Sequence, residues 1–257
     1  MQVKGKCAVI TGGASGLGAS AARHFVECGA KVALFDVNDE LGAEICDSIG
    51  RGAASFFKVD VTDDRSVAAA IAQVVEKYEA IHINLNAAGI PAPFKILERD
   101  GAPADITKFT RAVTVNLVGV FNVMSKCAAI MARNVPERGE ERGVIINVSS
   151  GAAYEGQVGQ CGYASSKAGV IGLNLPAARE LGDIGIRVNA IAPGLFRTPM
   201  VESLGDKVIS SLIDMIEAPK RLGDMREFSE LCRFIVENAY LNGETIRLDA
   251  ATRLRAR

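Results

Sequence analysis

The chain has 257 residues, of which 49% are hydrophobic and 23% are charged, and its formal net charge is −1. That length and apolar content allow one large domain with a well-buried core, so we predict a single domain over residues 1–257. A charge so close to zero argues against a nucleic-acid-binding surface and against attraction to an anionic membrane. We therefore expect neither nucleic acid nor a membrane among the partners.

The cysteines and histidines are few and scattered. The six cysteines form no CxxC pair or zinc-ligand spacing, and they are typical of reduced thiols in an intracellular protein. His24 and His82 lie too far apart in the sequence to suggest a metal site or a histidine-based triad. The chain shows no signal peptide, and no apolar run in it reaches the length that spans a membrane. These features predict a cytoplasmic protein without a metal.

Short apolar runs alternate with segments of helical periodicity along the whole chain. Strands are predicted over residues 7–11, 31–36, 55–59, 81–85, 144–148, 186–191 and 245–248. Helices are predicted over residues 19–28, 38–50, 63–78, 107–133, 163–182, 201–217 and 226–236. Strands that alternate with helices are typical of parallel βαβ units. The sequence therefore predicts the α/β class, with a parallel sheet and helices on both of its faces.

A glycine-rich turn, residues 11–18, joins the first predicted strand to the first helix. Glycines there allow positive φ angles and let the backbone approach a pyrophosphate, which the helix N-terminus would bind. The turn is not a P-loop, because no Lys-Ser/Thr pair follows the glycines. Taken alone, it fits a tight turn without a ligand equally well.

Two aspartates end the second and third predicted strands. Asp36 lies 18 residues after Gly18, close to the offset of about 20 expected for an acid that binds the adenosine ribose. The alternative is a helix N-cap, although Asn38 is better placed for that role. Asp60, followed by Val61, could receive an adenine edge or cap the next helix.

Tyr163 and Lys167 are four residues apart on a predicted helix, so both side chains lie on one face. A free phenol has a pKa of about 10, and a nearby ammonium favours the phenolate. Tyr163 is therefore a candidate general acid and base, with Ser150 thirteen residues earlier at the end of a strand. The four-residue spacing by itself is common by chance.

These motifs together resemble the short-chain dehydrogenase/reductase family. The matching residues are Thr-Gly-x3-Gly-x-Gly at 11–18, Asn-x-Ala-Gly at 86–89, Asn116, Ser150, Tyr-x3-Lys at 163–167 and Pro-Gly at 193–194. The resemblance covers the whole chain in the family's order, and it implies a Rossmann-type, doubly wound sheet that binds a nicotinamide cofactor, expected to be NAD. The residues it implies for that cofactor are Gly12, Ser15, Gly16, Leu17, Gly18, Asp36, Asp60, Val61, Asn86, Ala88, Gly89, Tyr163, Lys167, Pro193, Gly194 and Thr198.

The resemblance also implies a catalytic set of Asn116, Ser150, Tyr163 and Lys167. Ser150 would hydrogen-bond the substrate oxygen, and Tyr163 would exchange a proton with it. Lys167 would hold the nicotinamide ribose and lower the pKa of Tyr163. Asn116 would fix a water that joins Lys167 to solvent.

Between residues 155 and 253 the chain is similar to the 3-hydroxyacyl-CoA dehydrogenase branch of this family. That similarity implies a homotetramer that interconverts 3-hydroxyacyl-CoA and 3-oxoacyl-CoA in fatty-acid metabolism. The residues implied for substrate binding are Ser150, Gln160, Tyr163, Leu195 and Phe196. Gln160 would offer its amide to the thioester carbonyl. The alternative, that Gln160 and its neighbour Gln157 only order their loop, stays open.

Two places depart from the family pattern. Ala87 stands where a second asparagine is common, and Ala250 and Ala251 replace the usual glycines after Asp249. Neither change removes a catalytic group. We expect the alanine pair to shift a contact of the C-terminal tail.

Three other functions fit parts of the sequence. An apolar channel lined by Leu195 and Phe196 would also accept a hydroxysteroid or another secondary alcohol as the substrate. An NADP-dependent ketoreductase is a further alternative, but Asp36 would repel a 2′-phosphate, and no Arg or Lys stands at Ala14, Ser15 or Val37. A scaffold subunit of an RNA-processing complex belongs to a different class, and the lack of a basic stripe argues against it.

Overall fold

The computed structural model describes residues 1–202 and 205–256, and these residues contain one seven-stranded parallel sheet in the order β3-β2-β1-β4-β5-β6-β7. The strands are β1 Cys7–Thr11, β2 Lys31–Asp36, β3 Ala54–Lys58, β4 Ile83–Asn86, β5 Gly143–Val148, β6 Ile186–Pro193 and β7 Thr245–Leu248. The strand order reverses between β1 and β4, which is the switch point where open α/β sheets bind ligands. The predicted Rossmann-type α/β fold is confirmed.

The helices are α1 Gly16–Glu27, α2 Asp39–Ile49, α3 Asp64–Tyr78, α4 Ile106–Val113, α5 Gly119–Met131, α6 Cys161–Gly182, α7 Pro199–Glu202, α8 Asp206–Ile213 and α9 Met225–Glu237. A π-helical segment, Thr114–Val118, joins α4 to α5, so the helix predicted over 107–133 is one stretch with a wider turn inside it. The helix predicted over 201–217 is instead two short helices. Helix α6 continues through Pro176.

Each face of the sheet carries its own apolar layer, because neighbouring residues of a strand point to opposite faces. Ala8 and Ile10 of β1 pack with residues of α1 and α9 on one face. Cys7 and Val9 of the same strand pack with residues of α3 and α5 on the other face. The central strands β1, β4, β5 and β6 are buried on both faces, as in other parallel sheets, and this centre carries the loops at the strand ends.

The stretch Ile106–Met131 is long and apolar enough, by length and composition alone, to cross a membrane. Our expectation that no apolar run reaches that length is therefore wrong. Val123, Cys127 and Met131 of this stretch are fully buried against the sheet. A helix that packs on a core needs the same apolar composition, which accounts for the length of the run.

Candidate active site

A cavity of about 960 Å³ lies at the carboxyl ends of the strands. Its walls include most of the residues that the sequence predicts for cofactor and substrate. These are Gly12, Ser15, Gly16, Leu17, Gly18, Asp36, Asp60, Val61, Ala88, Gly89, Ser150, Tyr163, Lys167, Pro193, Gly194, Leu195, Phe196 and Thr198. Asn86, Asn116 and Gln160 are not among the lining residues. The fold therefore brings together residues from both halves of the chain.

The glycine turn fits a pyrophosphate group. Gly12 has a φ angle of +63°, and a Cβ placed there would lie 2.9 Å from the amide nitrogen of Ala88. A Cβ on Gly18 would lie 2.2 Å from the carbonyl oxygen of Gly12, so neither position accepts a side chain. The N-cap residue Ser15 makes no side-chain cap, and the first turn of α1 carries no acid. The helix N-terminus is thus free to bind an anion at the cavity wall.

The carboxylate of Asp36 also faces this turn. It accepts hydrogen bonds from the amide of Ala14 at 3.2 Å and from the amide of Asn38 at 3.1 Å. The N-cap of α2 is Asn38, so Asp36 is not the helix cap that we considered as its alternative role. An acid that ends the second strand and lines the cavity is well placed to bind a ribose.

Asp60 occupies the corresponding place at the end of the third strand. Its carboxylate accepts hydrogen bonds from the backbone amide and the hydroxyl of Thr62, at 2.9 and 2.7 Å. The N-cap of α3 is Asp63. The capping alternative for Asp60 is therefore excluded too, and Asp60 and Val61 remain in the cavity wall.

Ser150, Tyr163 and Lys167 meet at the cavity wall although they come from two elements. Ser150 follows β5, and its Oγ accepts a hydrogen bond from the amide of Ala152 at 3.1 Å. Tyr163 and Lys167 lie on α6, where the Lys167 Nζ is 5.9 Å from the centre of the Tyr163 ring. The Lys167 Nζ also donates to the carbonyl oxygen of Val148 at 2.8 Å. This hydrogen bond ties the helix to the strand that carries Ser150.

Burial controls the ionisation of this group. It raises the pKa of Tyr163, an effect that the hydroxyl of Ser150 partly offsets. It lowers the pKa of Lys167 to about 8. The net direction for the pKa of Tyr163 is upward, because the phenolate loses more stabilisation by leaving water than it gains from hydrogen bonds inside the protein. The lowering of its pKa by Lys167 that we expected stays a prediction.

Asn116 lies inside the π-helical segment, one of the irregular turns that often mark functional sites. Its Oδ1 accepts from the amide of Ile90 at 2.8 Å. Its Nδ2 donates to the carbonyl of Ile90 at 3.0 Å and to the hydroxyl of Ser166 at 3.1 Å. Both N–H donors are used within the protein. The side chain therefore holds the loop after β4 against α6, and the water that we expected it to fix stays a prediction.

Asn86 does not reach the cavity. Its Nδ2 donates to the Oδ1 atoms of Asn84 and Asn147, both at 2.8 Å, in the interior of the sheet. The hydrogen bond to Asn147 joins the end of β4 to β5. Asn86 thus positions the following loop, which includes Ala88 and Gly89, and the predicted direct cofactor contact is corrected to this supporting one.

Gln160 also differs from its predicted role. Its Oε1 accepts from the amide of Gln157 at 3.1 Å, and its Nε2 donates to the Gln157 Oε1 at 3.3 Å. The Gln157 side chain in turn donates to the carbonyl of Arg255 at 3.0 Å. The Gln160 amide is engaged in this pair and lies outside the cavity lining, which favours the loop-ordering alternative, and its contact with the thioester carbonyl stays a prediction.

One wall of the cavity was not predicted from the sequence. This wall comes from α4 and the π-helical segment, and its residues are Thr107, Thr110, Arg111, Thr114 and Val115. Their spacing of three or four residues places them on one helical face. That periodicity was visible in the sequence, but nothing in it said that the polar face would turn toward the site.

Comparisons with known proteins agree with this geometry. The chain matches the family model described as short chain dehydrogenase over residues 6–208. A rat (Rattus norvegicus) protein named 3-hydroxyacyl-CoA dehydrogenase type-2 is 46% identical over 253 residues, covering 98% of this chain and 97% of its own length. The human (Homo sapiens) protein of that name is 45% identical with the same coverage.

A solved structure is similar over the same extent. The crystal structure of 3-hydroxyacyl-CoA dehydrogenase type-2 from Mycobacterium avium has a TM-score of 0.94, with 40% identity and 98% of each chain covered. Both the sequence and the arrangement of the elements are thus shared along nearly the full length. The chain therefore belongs to the short-chain dehydrogenase family, and it is an oxidoreductase with a site for a nicotinamide cofactor.

Proposed function

We propose that this protein is an NAD-dependent dehydrogenase that interconverts 3-hydroxyacyl-CoA and 3-oxoacyl-CoA. The observation that carries the substrate class is the full-length likeness to proteins named 3-hydroxyacyl-CoA dehydrogenase type-2, at 45 and 46% identity. Leu195 and Phe196 support it, because they line the cavity close to Gly194 and provide an apolar wall for an acyl chain. None of the relatives' names supports the alternative of an RNA-processing scaffold.

We propose NAD rather than NADP as the cofactor because of Asp36, the residue at the end of β2. Asp36 would hydrogen-bond the ribose hydroxyls and repel a 2′-phosphate. The neighbouring side chains at Ala14, Ser15 and Val37 carry no positive charge that would neutralise such a phosphate. When bound, NAD supplies the oxidation-reduction chemistry, and the protein supplies orientation and a proton path.

The proton path runs through the residues that meet at the cavity. Ser150 orients the substrate by a hydrogen bond from its hydroxyl to the substrate oxygen. Tyr163 accepts the alcohol proton during oxidation and returns it during reduction. The buried Tyr163 has a raised pKa and therefore holds its proton at neutral pH, which is the form that reduction requires. Lys167, when charged, stabilises the phenolate that reduction leaves.

The substrate class is tested by the reduction of acetoacetyl-CoA with NADH, followed by the absorbance of the cofactor. We expect kcat/KM for acetoacetyl-CoA to exceed that for free acetoacetate and for steroid ketones. The comparison isolates the CoA part, since acetoacetate has the same reacting carbonyl group. Activity that is no better with the thioester would remove the acyl-CoA assignment and favour a secondary alcohol or hydroxysteroid.

We also propose a cytoplasmic homotetramer that acts in fatty-acid metabolism. The cytoplasmic location is supported by six cysteines that are all free in the structure. The assembly is supported by Val118 and Phe121, apolar side chains that are 50% and 58% exposed on consecutive turns. Leu175 of α6 is a further apolar side chain left exposed, at 45%.

A further inference from the structure

Arg247 on β7 is the centre of an ionic cluster behind the active site. Its Nη1 and Nη2 donate to the two carboxylate oxygens of Glu155, at 2.7 and 2.9 Å. Its Nε donates to the Oδ2 of Asp249 at 2.6 Å, and its Nη2 also donates to the carbonyl of Thr252 at 3.2 Å. A guanidinium with this many fixed partners holds them in one geometry, which a lysine does not reproduce.

The cluster is mostly shielded from water. The side chains of Arg247, Glu155 and Asp249 are 22%, 25% and 8% exposed. The guanidinium also lies 4.7 Å from the centre of the Tyr154 ring. Pairing with Arg247 lowers the pKa of Glu155, so this carboxylate stays charged at neutral pH. Charge pairs with this little exposure are screened less by salt than pairs on the open surface.

On one side, the cluster holds the loop of residues 151–160, which joins Ser150 to the helix of Tyr163. The amide of Glu155 donates to the carbonyl of Gly151 at 3.1 Å, so Glu155 is one turn away from Ser150. At the other end of the loop, the carbonyl of Gln160 accepts from an amide in the first turn of α6 at 2.7 Å. The loop thus connects the substrate-orienting hydroxyl with the proton-transfer phenol.

On the other side, the cluster holds the turn that follows β7. A Cβ placed on Gly194 would lie 2.7 Å from the Cα of Asp249, so the two backbones are in direct contact. The amide of Gly194 donates to the carbonyl of Leu248 at 2.9 Å. Gly194 lines the cavity beside Leu195. Arg247 therefore contacts residues that support two separate walls of the site, and its partner Glu155 lies 92 residues away from it in the sequence.

We propose that Arg247 is a positioning residue for the dehydrogenase reaction: through Glu155 and Asp249 it sets the distance between the Ser150–Tyr163 wall and the Gly194 wall. This inference rests on the proposed dehydrogenase activity. It assigns a functional consequence to an ion pair that touches neither substrate nor cofactor.

The test compares Arg247→Met and Arg247→Lys with Arg233→Met as the matched control. Arg233 is paired with Glu237 on α9 at 3.0 Å and does not line the cavity. For Arg247→Met we expect kcat per folded protein to fall about 10- to 100-fold, with KM changed less than about threefold, because misplaced groups cost catalysis rather than binding. Arg247→Lys is expected to lie between the wild type and Arg247→Met, and Arg233→Met to match the wild type.

Two further measurements separate positioning from mere stability. The pH profile of kcat should shift in Arg247→Met, because the surroundings of Tyr163 change. Hydrogen exchange of the amides in residues 151–160 should become faster in Arg247→Met and stay unchanged in Arg233→Met. The second measurement needs no turnover, so it tests the cluster even if acetoacetyl-CoA is not a substrate.

The inference is overturned if Arg247→Met loses thermal stability while kcat per folded protein and the pH profile match the wild type. Unchanged exchange in residues 151–160 would overturn it as well. The Glu155→Gln variant provides a check for the case that Arg247→Met does not fold. It keeps the shape of the side chain and removes its charge, and it should reproduce the loss of kcat.

Discussion

Tyr163 lines the cavity beside Ser150, and we propose that its hydroxyl is the proton-transfer group. Replacing Tyr163 with Phe removes this hydroxyl and leaves the ring packing in place. We expect turnover to fall by about 10²- to 10⁴-fold, since that is the contribution of a general acid or base. Steady-state kinetics gives the loss, while NADH affinity and the melting temperature should stay near the wild-type values. Residual activity above a tenth of the wild type would contradict the role of Tyr163.

Lys167 gives the protein a stability that depends on pH. Burial lowers its pKa in the folded protein to about 8, from an ordinary value of 10.5. Below pH 8 the side chain is charged in both the folded and unfolded states, and the cost of burying the ammonium is present in full. Between pH 8 and 10.5 the folded state has released the proton, so this cost is relieved as the pH rises.

We therefore expect the wild type to gain free energy of unfolding relative to Lys167→Met when the pH is raised from 7 to 10. Urea denaturation of both proteins at each pH measures this, and other titrating groups cancel in the difference. The exposed Lys4 supplies the matched control, Lys4→Met. A difference between wild type and Lys167→Met that stays constant with pH would show that the ammonium is not buried at a cost.

We propose that Asp36 sets the choice between the two nicotinamide cofactors. We expect the wild type to have a higher kcat/KM with NAD than with NADP, and Asp36→Ala to reduce that preference by about 10- to 100-fold, as the loss of a charge-assisted hydrogen bond would. Kinetics with both cofactors measures the ratio. Asp39→Ala is the control, because Asp39 is paired with Lys58 on the surface and does not line the cavity. A wild type that prefers NADP would refute the assignment of Asp36.

At the scale of single elements, the turn after β7 contains two consecutive alanines with positive φ angles. Ala250 and Ala251 have φ angles of +49° and +58°, in the left-handed region that favours glycine. The turn is held there because the amide of Ala251 donates to Asp249 at 3.1 Å, and the carbonyl of Ala250 accepts from two amides. The alanines thus hold a left-handed backbone conformation that glycine would adopt with less strain.

Glycine at either position should relieve this strain. A left-handed alanine costs about 1–2 kcal/mol, and glycine loses about 0.5–1 kcal/mol of backbone entropy, so we expect a net gain of about 0.5–1 kcal/mol per substitution. Thermal denaturation of Ala250→Gly and Ala251→Gly measures it. The control Ala72→Gly in the middle of α3 should have the opposite sign and destabilise by about 1 kcal/mol. Equal effects at the turn and in the helix would contradict the strain.

For the whole molecule, the exposed apolar side chains of the π-helical segment and α5 support the proposed homotetramer. Val118 and Phe121 are 50% and 58% exposed in the described chain, and a second copy would bury them. We expect light scattering to give four times the chain mass, and Phe121→Asp to give a smaller species. Val135→Asp, at a loop residue that is 87% exposed, is the control and should remain a tetramer. A stable wild-type monomer at micromolar concentration would refute the assembly.

The parts of this protein that the sequence determines are those that depend on neighbours along the chain. The alternation of apolar runs and helical periodicity predicts the strands and helices, because this periodicity is a pattern of residues close together in the chain. The glycine turn and the spacing of Tyr163 and Lys167 likewise involve residues that are close together in the chain. The ends of two helices follow from single residues as well, since Asn38 and Asp63 cap α2 and α3.

Only the tertiary structure decided which partners the polar side chains take. Asn86, Asn116 and Gln160 are all asparagine or glutamine, whose amides can bind a ligand, a loop or another strand with equal chemistry. For Asn86 and Asn116 packing chose the protein partners, because a buried amide must be satisfied by whatever the fold brings near. The direction of the Tyr163 pKa and the pairing of Arg247 with Glu155 have the same origin: burial and contacts between distant residues exist only in the folded chain.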